Sequence, residues 1–113
     1  MTTIFGKILK GEIPCTKVYE DDLVLAFDDV TPQAPVHVLI IPKIELVNLN
    51  DVDQSHEQVL GRLLSAARIV AEKKGIAEGG YRVVMNNGEN GGQSVHHMHL
   101  HVLGGRHLSW PPG

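Results

Sequence analysis

The sequence predicts a single α+β domain: a mostly antiparallel five-stranded sheet with one long and one short helix. The chain has 113 residues, the usual size of one domain. Its candidate strands follow one another through short turns, and only one long helical segment interrupts them, which favours hairpin pairing over parallel crossovers. With 42% hydrophobic and 20% charged residues, the chain can bury a core of its own.

The first third of the chain contains a short helix and three strands. The helix begins after Thr3, a good N-cap residue, and stops at Gly11. Two strands follow as a hairpin with Asp21 and Asp22 at its turn. The third is rich in β-branched and apolar residues, as buried central strands are, and it ends at Pro42. The predicted bounds of the three strands are 16–20, 23–28 and 37–42.

The second half contains the long helix and two more strands. The helix is expected over residues 53–74, followed by Gly75 as its C-terminal cap. Its apolar stripe consists of Leu60, Leu63, Leu64, Ala67, Val70 and Ala71. Strands are predicted at 81–86 and 96–103, with a polar, glycine-rich loop between them.

The composition excludes several classes of protein. A formal net charge of −3 provides no basic surface for nucleic acid. The single cysteine, Cys15, excludes an internal disulfide and any site built from several cysteines. No apolar run approaches the roughly 20 residues that span a bilayer, and residues 1–7 lack an apolar signal core. We therefore expect a cytoplasmic protein with no nucleic-acid or membrane partner.

Histidines are concentrated near the C-terminus, where four of the seven lie between residues 96 and 101. His97, His99 and His101 alternate with apolar residues, so a strand would place them on one face, with His96 on the opposite, apolar face. Three imidazoles in a row contribute little to packing and repel one another when charged. A functional site is therefore favoured over three surface histidines.

A zinc site is one interpretation of these histidines, because imidazole is a common zinc ligand. Residues two apart on a strand lie about 6.6 Å apart, however, so one ion cannot readily bind all three rings. Two of them with His37 would suffice for an open three-histidine site. This alternative lacks a clear carboxylate ligand and leaves the glycine-rich loop unexplained.

Nucleophilic catalysis at phosphorus explains more of the sequence. Histidine is mostly neutral at pH 7, so its free nitrogen can attack without a separate base. His99, the middle ring, is the best-placed nucleophile, and His101 in protonated form is the preferred donor to the leaving group. The tautomer of the reacting ring must be fixed by a backbone carbonyl or by His37.

The loop before the last strand is suited to binding a phosphate group. Gly88, Gly91 and Gly92 allow a close approach of the backbone, and the hydroxyl of Ser94 can donate a hydrogen bond. Such a loop by itself is ordinary hairpin chemistry, and only the neighbouring histidines give it a functional meaning.

The segment GGQSVHHMHLHVLGGR at residues 91–106 closely resembles the signature of the histidine-triad (HIT) superfamily, in its Hint branch. Shorter matches corroborate it and extend the resemblance over nearly the whole chain: TIFGKI at 3–8, EIP at 12–14, EDD at 20–22, PQAP at 32–35, His37, IPK at 41–43 and WPPG at 110–113. The resemblance implies a HIT fold over residues 1–113 and a purine nucleoside phosphoramidase. Such an enzyme hydrolyses adenosine 5′-phosphoramidate and aminoacyl or lysyl adenylates to AMP and an amine, without a metal or other cofactor.

The resemblance also implies roles for individual residues. His99 becomes the nucleotidylated nucleophile, flanked by His97 and His101. The phosphate-side positions are Asn86, Gly92, Gln93 and Ser94. The nucleoside pocket is formed by Phe5, Ile8, Ile13, Phe27, Asp28, Asp29 and Val30. Asp29 is expected to hold the ribose hydroxyls, since one carboxylate can accept from both.

Proteins of the Hint branch are homodimers whose sheets join into ten strands. The tail, residues 104–113, is then expected at the dimer interface near the partner's site, with Trp110 as an anchor; packing of Trp110 on its own subunit is the alternative. His96 stands where a tyrosine is common. Two further functions remain open, a nucleotide-binding regulatory module with little turnover and a dinucleoside polyphosphate hydrolase.

Overall fold

A computed structural model describes residues 3–113 and shows the predicted α+β architecture. Its elements are α1 (Ile4–Leu9), β1 (Lys17–Glu20), β2 (Val24–Asp28), β3 (Val36–Pro42), α2 (Glu57–Lys73), β4 (Tyr81–Val84) and β5 (Leu100–Gly104). Two short 3-10 turns, Leu49–Asp51 and Gln54–His56, precede α2. Met1 and Thr2 lie outside the described residues. They are the first residues of the predicted domain and of segment 1–7, which lacks an apolar signal core.

The five strands form one sheet in the order β1-β2-β3-β5-β4, and every neighbouring pair is antiparallel. The predicted antiparallel sheet is therefore confirmed. β3 and β5 lie side by side near the centre, with Leu39 opposite His101 and His37 opposite Leu103. This pairing brings together histidines that are 64 residues apart in the chain.

The two faces of the sheet carry different layers. α2 covers one face, and the side chains of Val24, Val38, Met98, Leu100 and Val102 point into the core beneath it. The opposite face carries α1 and a smaller cluster, formed by Phe5, Leu25, Phe27, Leu39 and Ile41. Since side chains alternate along a strand, each strand supplies both layers.

The prediction for α2 needs two corrections. Leu64, placed in the apolar stripe, is 61% exposed, whereas Val59 and Ala66 are buried. The buried stripe of a helix advances by three or four residues per turn, and the positions 59, 63, 66 and 70 follow that spacing. The helix begins at Glu57 rather than at residue 53, because Asp53 caps the preceding 3-10 turn through a capping box.

The last strand is shorter than predicted. β5 begins at Leu100, and residues 96–99 form a loop whose Met98 N–H donates to the carbonyl of Leu46 at 2.7 Å. His96 is exposed in this loop and does not join the apolar face, so its predicted direction is wrong. Among residues 3–113, no helix combines the length and apolar content needed to cross a bilayer.

Candidate active site

A cavity of about 610 Å³ opens on the face of the sheet that carries α1. Ten predicted site residues line it: Phe5, Ile8, Ile13, Phe27, Asp28, Asp29, Val30, Ser94, His99 and His101. The other predicted site residues, His37, His97, Asn86, Gly92, Gln93 and Trp110, are not among its lining residues. The structure thus brings the predicted nucleoside-side residues and two histidines to one cavity.

Some lining residues were missed by the sequence analysis. They are Ile4, Pro14, Cys15, Thr16, Thr31, Leu39 and Val95. Leu39 could have been found, because it lies two residues from His37 in a predicted strand and so shares its side of the sheet. Burial raises the pKa of the Cys15 thiol, which keeps that wall of the cavity uncharged at pH 7.

Phe5 fixes the position of the histidine row from the side of α1. Its ring meets Phe27 edge to face at 5.7 Å between centroids, and meets His99 in the same way at 5.0 Å. α1 begins here because the Thr3 hydroxyl accepts from the N–H of Gly6. The helix cap thus holds the aromatic ring against the imidazole.

His99 has the tautomer that a nucleophile needs. Its Nδ1 lies 2.8 Å from the carbonyl oxygen of His97, and a carbonyl only accepts, so the proton is on Nδ1. Nε2 is left with a free lone pair. Burial lowers the pKa of His99 below its ordinary value of 6.5, although the hydrogen bond to the His97 carbonyl acts in the opposite direction, so the ring is neutral at pH 7.

His37 and His101 are the last two members of a chain of hydrogen bonds in which each group donates to the next. The backbone N–H of Gln33 donates to Nδ1 of His37 at 3.0 Å, which places the His37 proton on Nε2. His37 Nε2 then donates to Nδ1 of His101 at 2.8 Å. The remaining proton of neutral His101 is therefore on Nε2, so this ring offers an N–H donor next to His99.

The surroundings of His101 oppose the protonated form expected of the donor. Burial, followed by the nearby rings of His99 and His37, lowers the pKa of His101 to about 4, although Asp29 acts in the opposite direction. A second proton on Nδ1 would also displace the hydrogen bond from His37. His101 is therefore a neutral donor at pH 7 until an anion enters the cavity and favours its charged form.

Asp28 and Asp29 are neighbours in sequence but face opposite sides of the sheet. The carboxylate of Asp28 pairs with Lys74 at 2.8 Å, at the end of α2. Asp29 lies on the side of the histidines, 3.4 Å from Nε2 of His37, and accepts from the N–H of Thr31 at 2.9 Å. Both residues line the cavity, but of the two only Asp29 points its carboxylate toward His37.

His97 is buried outside the cavity. Its Nε2 donates to the carbonyl oxygen of Pro42 at 3.0 Å, and the residue is 1% exposed. Its Nδ1 has no hydrogen-bond partner among residues 3–113. These contacts tie the loop before β5 to the end of β3, and the His97 carbonyl in turn sets the tautomer of His99.

The predicted phosphate-side residues lie in one loop, and most of their polar groups are used within it. The side-chain amide of Asn86 donates to the carbonyl of Gly91 at 2.8 Å. Gly91 must be glycine, because a Cβ there would lie 2.5 Å from the backbone oxygen of Asn87. Gly92 has a φ of +80°, which also favours glycine. Ser94 alone among the predicted phosphate-side residues reaches the cavity.

A metal ion fits the donor atoms poorly. Asp29, His37 and His101 bring ligand atoms within 4.8 Å of one another. Metal bound to Nε2 of His37 would require the His37 proton on Nδ1, where it would face the N–H of Gln33. The geometry therefore favours a chain of hydrogen bonds over the zinc alternative.

Comparisons with known proteins agree with this architecture. The model of the HIT domain family matches residues 10–108. The chain is 57% identical over 106 residues to a protein named purine nucleoside phosphoramidase from Escherichia coli (strain K12), covering 94% of this chain and 89% of that protein. It is 54% identical over 113 residues to one named adenylylsulfatase HINT1 from Arabidopsis thaliana, covering 98% and 76% of the two chains.

A solved structure shows the same fold. The crystal structure of a HIT family hydrolase from Legionella pneumophila Philadelphia 1 superposes with a TM-score of 0.94 at 50% sequence identity, covering 97% of this chain and 98% of that one. The family match spans most of the chain and the fold is shared throughout. The chain therefore belongs to the HIT domain family.

Proposed function

We propose that this protein hydrolyses purine nucleoside 5′-phosphoramidates to a nucleoside monophosphate and an amine through a nucleotidyl intermediate on His99. The observation that carries the proposal is the unprotonated Nε2 of His99, fixed by the His97 carbonyl at the edge of an apolar cavity. The names of the similar proteins support the same class of substrate.

The first step forms a bond between His99 Nε2 and phosphorus and breaks the P–N bond. The leaving amine needs one proton, and Nε2–H of His101 is the donor at hand. The charge of the bound phosphoryl group raises the pKa of His101, so the ring takes up a proton from solvent as the substrate binds and then gives its Nε2 proton to the amine. The extra proton returns to solvent when the products leave after the second step.

The second step restores the protein. A water oxygen bonds to phosphorus, the bond from phosphorus to His99 breaks, and Nε2 recovers its lone pair. The proton that the water loses returns to His101. The sum is one phosphoramidate and one water converted to one nucleotide and one amine.

The apolar walls are suited to a purine ring, which has two large apolar faces. Phe5, Ile8, Ile13 and Phe27 would contact the base, and Asp29 the ribose hydroxyls. Of the phosphate-side residues, Ser94 is the one placed to donate to a phosphoryl oxygen.

Mass spectrometry of protein quenched during turnover of a slow phosphoramidate tests the intermediate. We expect one added AMP on His99, and none on a His99→Ala variant. Turnover by that variant at the rate of the unmodified protein would contradict the assignment.

A substrate panel separates the remaining functions. Adenosine phosphoramidate should be hydrolysed much faster than diadenosine polyphosphate, with no loss of rate on addition of a chelator. Binding of AMP without turnover would indicate a regulatory nucleotide-binding module, and faster cleavage of the polyphosphate would indicate the dinucleoside hydrolase.

We also propose that two copies of the chain join through β4. β4 is the last strand of the sheet, and its Tyr81 and Val83 are 38% and 36% exposed. An exposed apolar edge strand is a template for pairing with another strand. Light scattering should give a dimer for the unmodified protein and a monomer for a Val83→Asp variant.

The tail lies beside this edge. The guanidinium of Arg82 donates to the carbonyls of Leu108 and Ser109 at 3.0 and 2.9 Å, and lies 6.0 Å from the centre of the Trp110 ring. Trp110 itself is 79% exposed, so its own subunit covers little of it. This arrangement supports a partner contact for the tail, and deletion of residues 110–113 should weaken the dimer.

A further inference from the structure

Two loops meet at one edge of the sheet, and the side chain of Gln93 lies between them. β5 is antiparallel to both β3 and β4, so the ends of β3 and β4 lie beside the start of β5. The loop that follows β3 therefore meets the loop that joins β4 to β5 and carries His97 and His99.

The side-chain amide of Gln93 is hydrogen-bonded to both loops, and within its own loop it joins the first part, at Gly88, to the last part, at Val95. Its Nε2 donates to the carbonyls of Val47 at 2.6 Å and Val95 at 3.0 Å. Its Oε1 accepts from the N–H of Gly88 at 2.9 Å and from the side chain of Asn48 at 3.4 Å. These four bonds use both hydrogens and both lone pairs of the amide.

The partners also fix which way the amide faces. A flipped amide would direct its oxygen at two carbonyl oxygens and its NH2 group at the N–H of Gly88, which is unfavourable at every contact. The side chain is thus satisfied inside the protein and has no remaining donor for a phosphate oxygen. This differs from the phosphate-side role that the resemblance implied for Gln93.

The side-chain amide of Gln93 holds Val95, which forms part of the cavity wall. Val95 lines the cavity and packs against the cluster of Phe5, Leu25, Phe27, Leu39 and Ile41. Four residues later the same loop reaches His99, and the N–H of Met98 anchors it to the carbonyl of Leu46. A shift of Val95 would alter the cavity wall and the approach to His99 together.

We propose that Gln93 is a positioning residue for the reaction: its amide locks the loop after β3 to the two ends of the β4–β5 loop and so fixes Val95 and His99, without contacting the phosphoryl group. The assignment rests on the proposed function, because it concerns the same nucleotide cavity. A positioning role and a direct phosphate contact affect binding differently. A positioning residue should affect every ligand of the cavity, whereas a phosphate contact strengthens the binding only of ligands that carry a phosphate.

Two variants test the assignment. Gln93→Glu keeps the size of the side chain but loses both donors, and Gln93→Met loses all four hydrogen bonds. We expect the affinities for AMP and for adenosine to fall by the same factor, about tenfold, in Gln93→Met. In Gln93→Glu the adenosine affinity should fall to a similar extent, and the added charge should weaken AMP binding further. kcat on the phosphoramidate should fall as well as KM rise. Gln58→Met, on the exposed side of α2, is the matched control and should change neither affinity.

A direct phosphate contact gives a different result: in Gln93→Met, AMP would bind more weakly while adenosine binding stayed unchanged, which would overturn the proposal. Unchanged affinity for both ligands would overturn it too. If the unmodified protein binds AMP but does not turn over the phosphoramidate, the proposed hydrolysis fails, and the two affinities still test the role of Gln93.

A measurement on the unmodified protein does not depend on either variant folding. The side-chain NH2 signals of Gln93 should exchange slowly with water in NMR spectra. AMP and adenosine should shift them by similar, small amounts. A large shift with AMP that adenosine does not reproduce would place the phosphate on this amide and contradict the proposal.

Discussion

The two helices cover the two faces of the sheet unequally. α2, with 17 residues, covers its face with a continuous apolar core, whereas α1, with 6 residues, covers only part of the other. The space beside α1 is the cavity that holds His99 and His101. The difference indicates that one face provides stability and the other leaves room for a ligand, so substitutions on the two faces should have separable effects.

The largest expected effect is the loss of activity on the cavity face. His99→Ala should lower kcat/KM by at least about 1,000-fold, because His101, the other histidine that lines the cavity, accepts a hydrogen bond at Nδ1 and carries its proton on Nε2. The free energy of unfolding should fall by about 1 to 2 kcal/mol, because the ring is buried, packs against Phe5 and donates to the His97 carbonyl. The matched control is His96→Ala, an exposed histidine in the same loop, which should retain activity. Steady-state kinetics measure the activity of both variants, and thermal melts measure their stability. Equal losses of activity in His99→Ala and His96→Ala would contradict the special role of His99.

The α2 face should show the opposite behaviour. Leu63 is 1% exposed, so Leu63→Ala should lower the free energy of unfolding by about 3 kcal/mol, while kcat and KM stay close to their original values in folded protein. Leu64→Ala, one residue further along, should cost less than about 0.5 kcal/mol because that side chain is exposed. Urea denaturation measures both. A large loss for Leu64→Ala would indicate that a second copy of the chain covers it.

Low pH should lower the free energy of unfolding through His101, a histidine of the cavity. The pKa of His101 is lowered from 6.5 to about 4 in the folded protein, so between these values the unfolded chain binds more protons. The resulting contribution of His101 to the free energy of unfolding is fully present above pH 6.5 and is lost as the pH falls toward 4. The loss is about 2 kcal/mol after allowance for the partial exposure of the ring. A His101→Asn variant should show a shallower loss in melts over this range. An equal loss of stability in the variant and in the unmodified protein would exclude His101 as the cause.

The smallest expected effect separates two adjacent carboxylates. Asp29→Asn should weaken AMP binding by about tenfold, because the ribose hydroxyls would lose a charged acceptor. Asp28→Asn, on the opposite face, breaks an ion pair with Lys74 and should cost less than about 1 kcal/mol of stability with no change in AMP affinity. Isothermal titration of both variants checks the pair. Weaker AMP binding in Asp28→Asn would show that the sheet does not separate their roles.

Most of the fold could be predicted from the sequence, because it depends on local patterns. The hairpins, the long helix and the central strand follow from turn residues and apolar spacing, and the predicted family is confirmed by the comparisons. Leu64 was misplaced because it lies beside the buried stripe of α2, and His96 because the alternating pattern of β5 was extended into the loop before the strand. Gln33 was missed because its contribution is a backbone N–H, which no residue type signals.

The sequence by itself determined on which side of the chain the histidines lie. The alternation from His97 to Val102 directs the imidazoles to one layer and the apolar side chains to the other, because successive side chains of an extended chain point in opposite directions. Only the tertiary structure decided which nitrogen of each ring carries the proton. That depends on atoms distant in sequence, the Pro42 carbonyl for His97 and the His37 ring for His101, which the pairing of β3 with β5 brings within hydrogen-bonding distance.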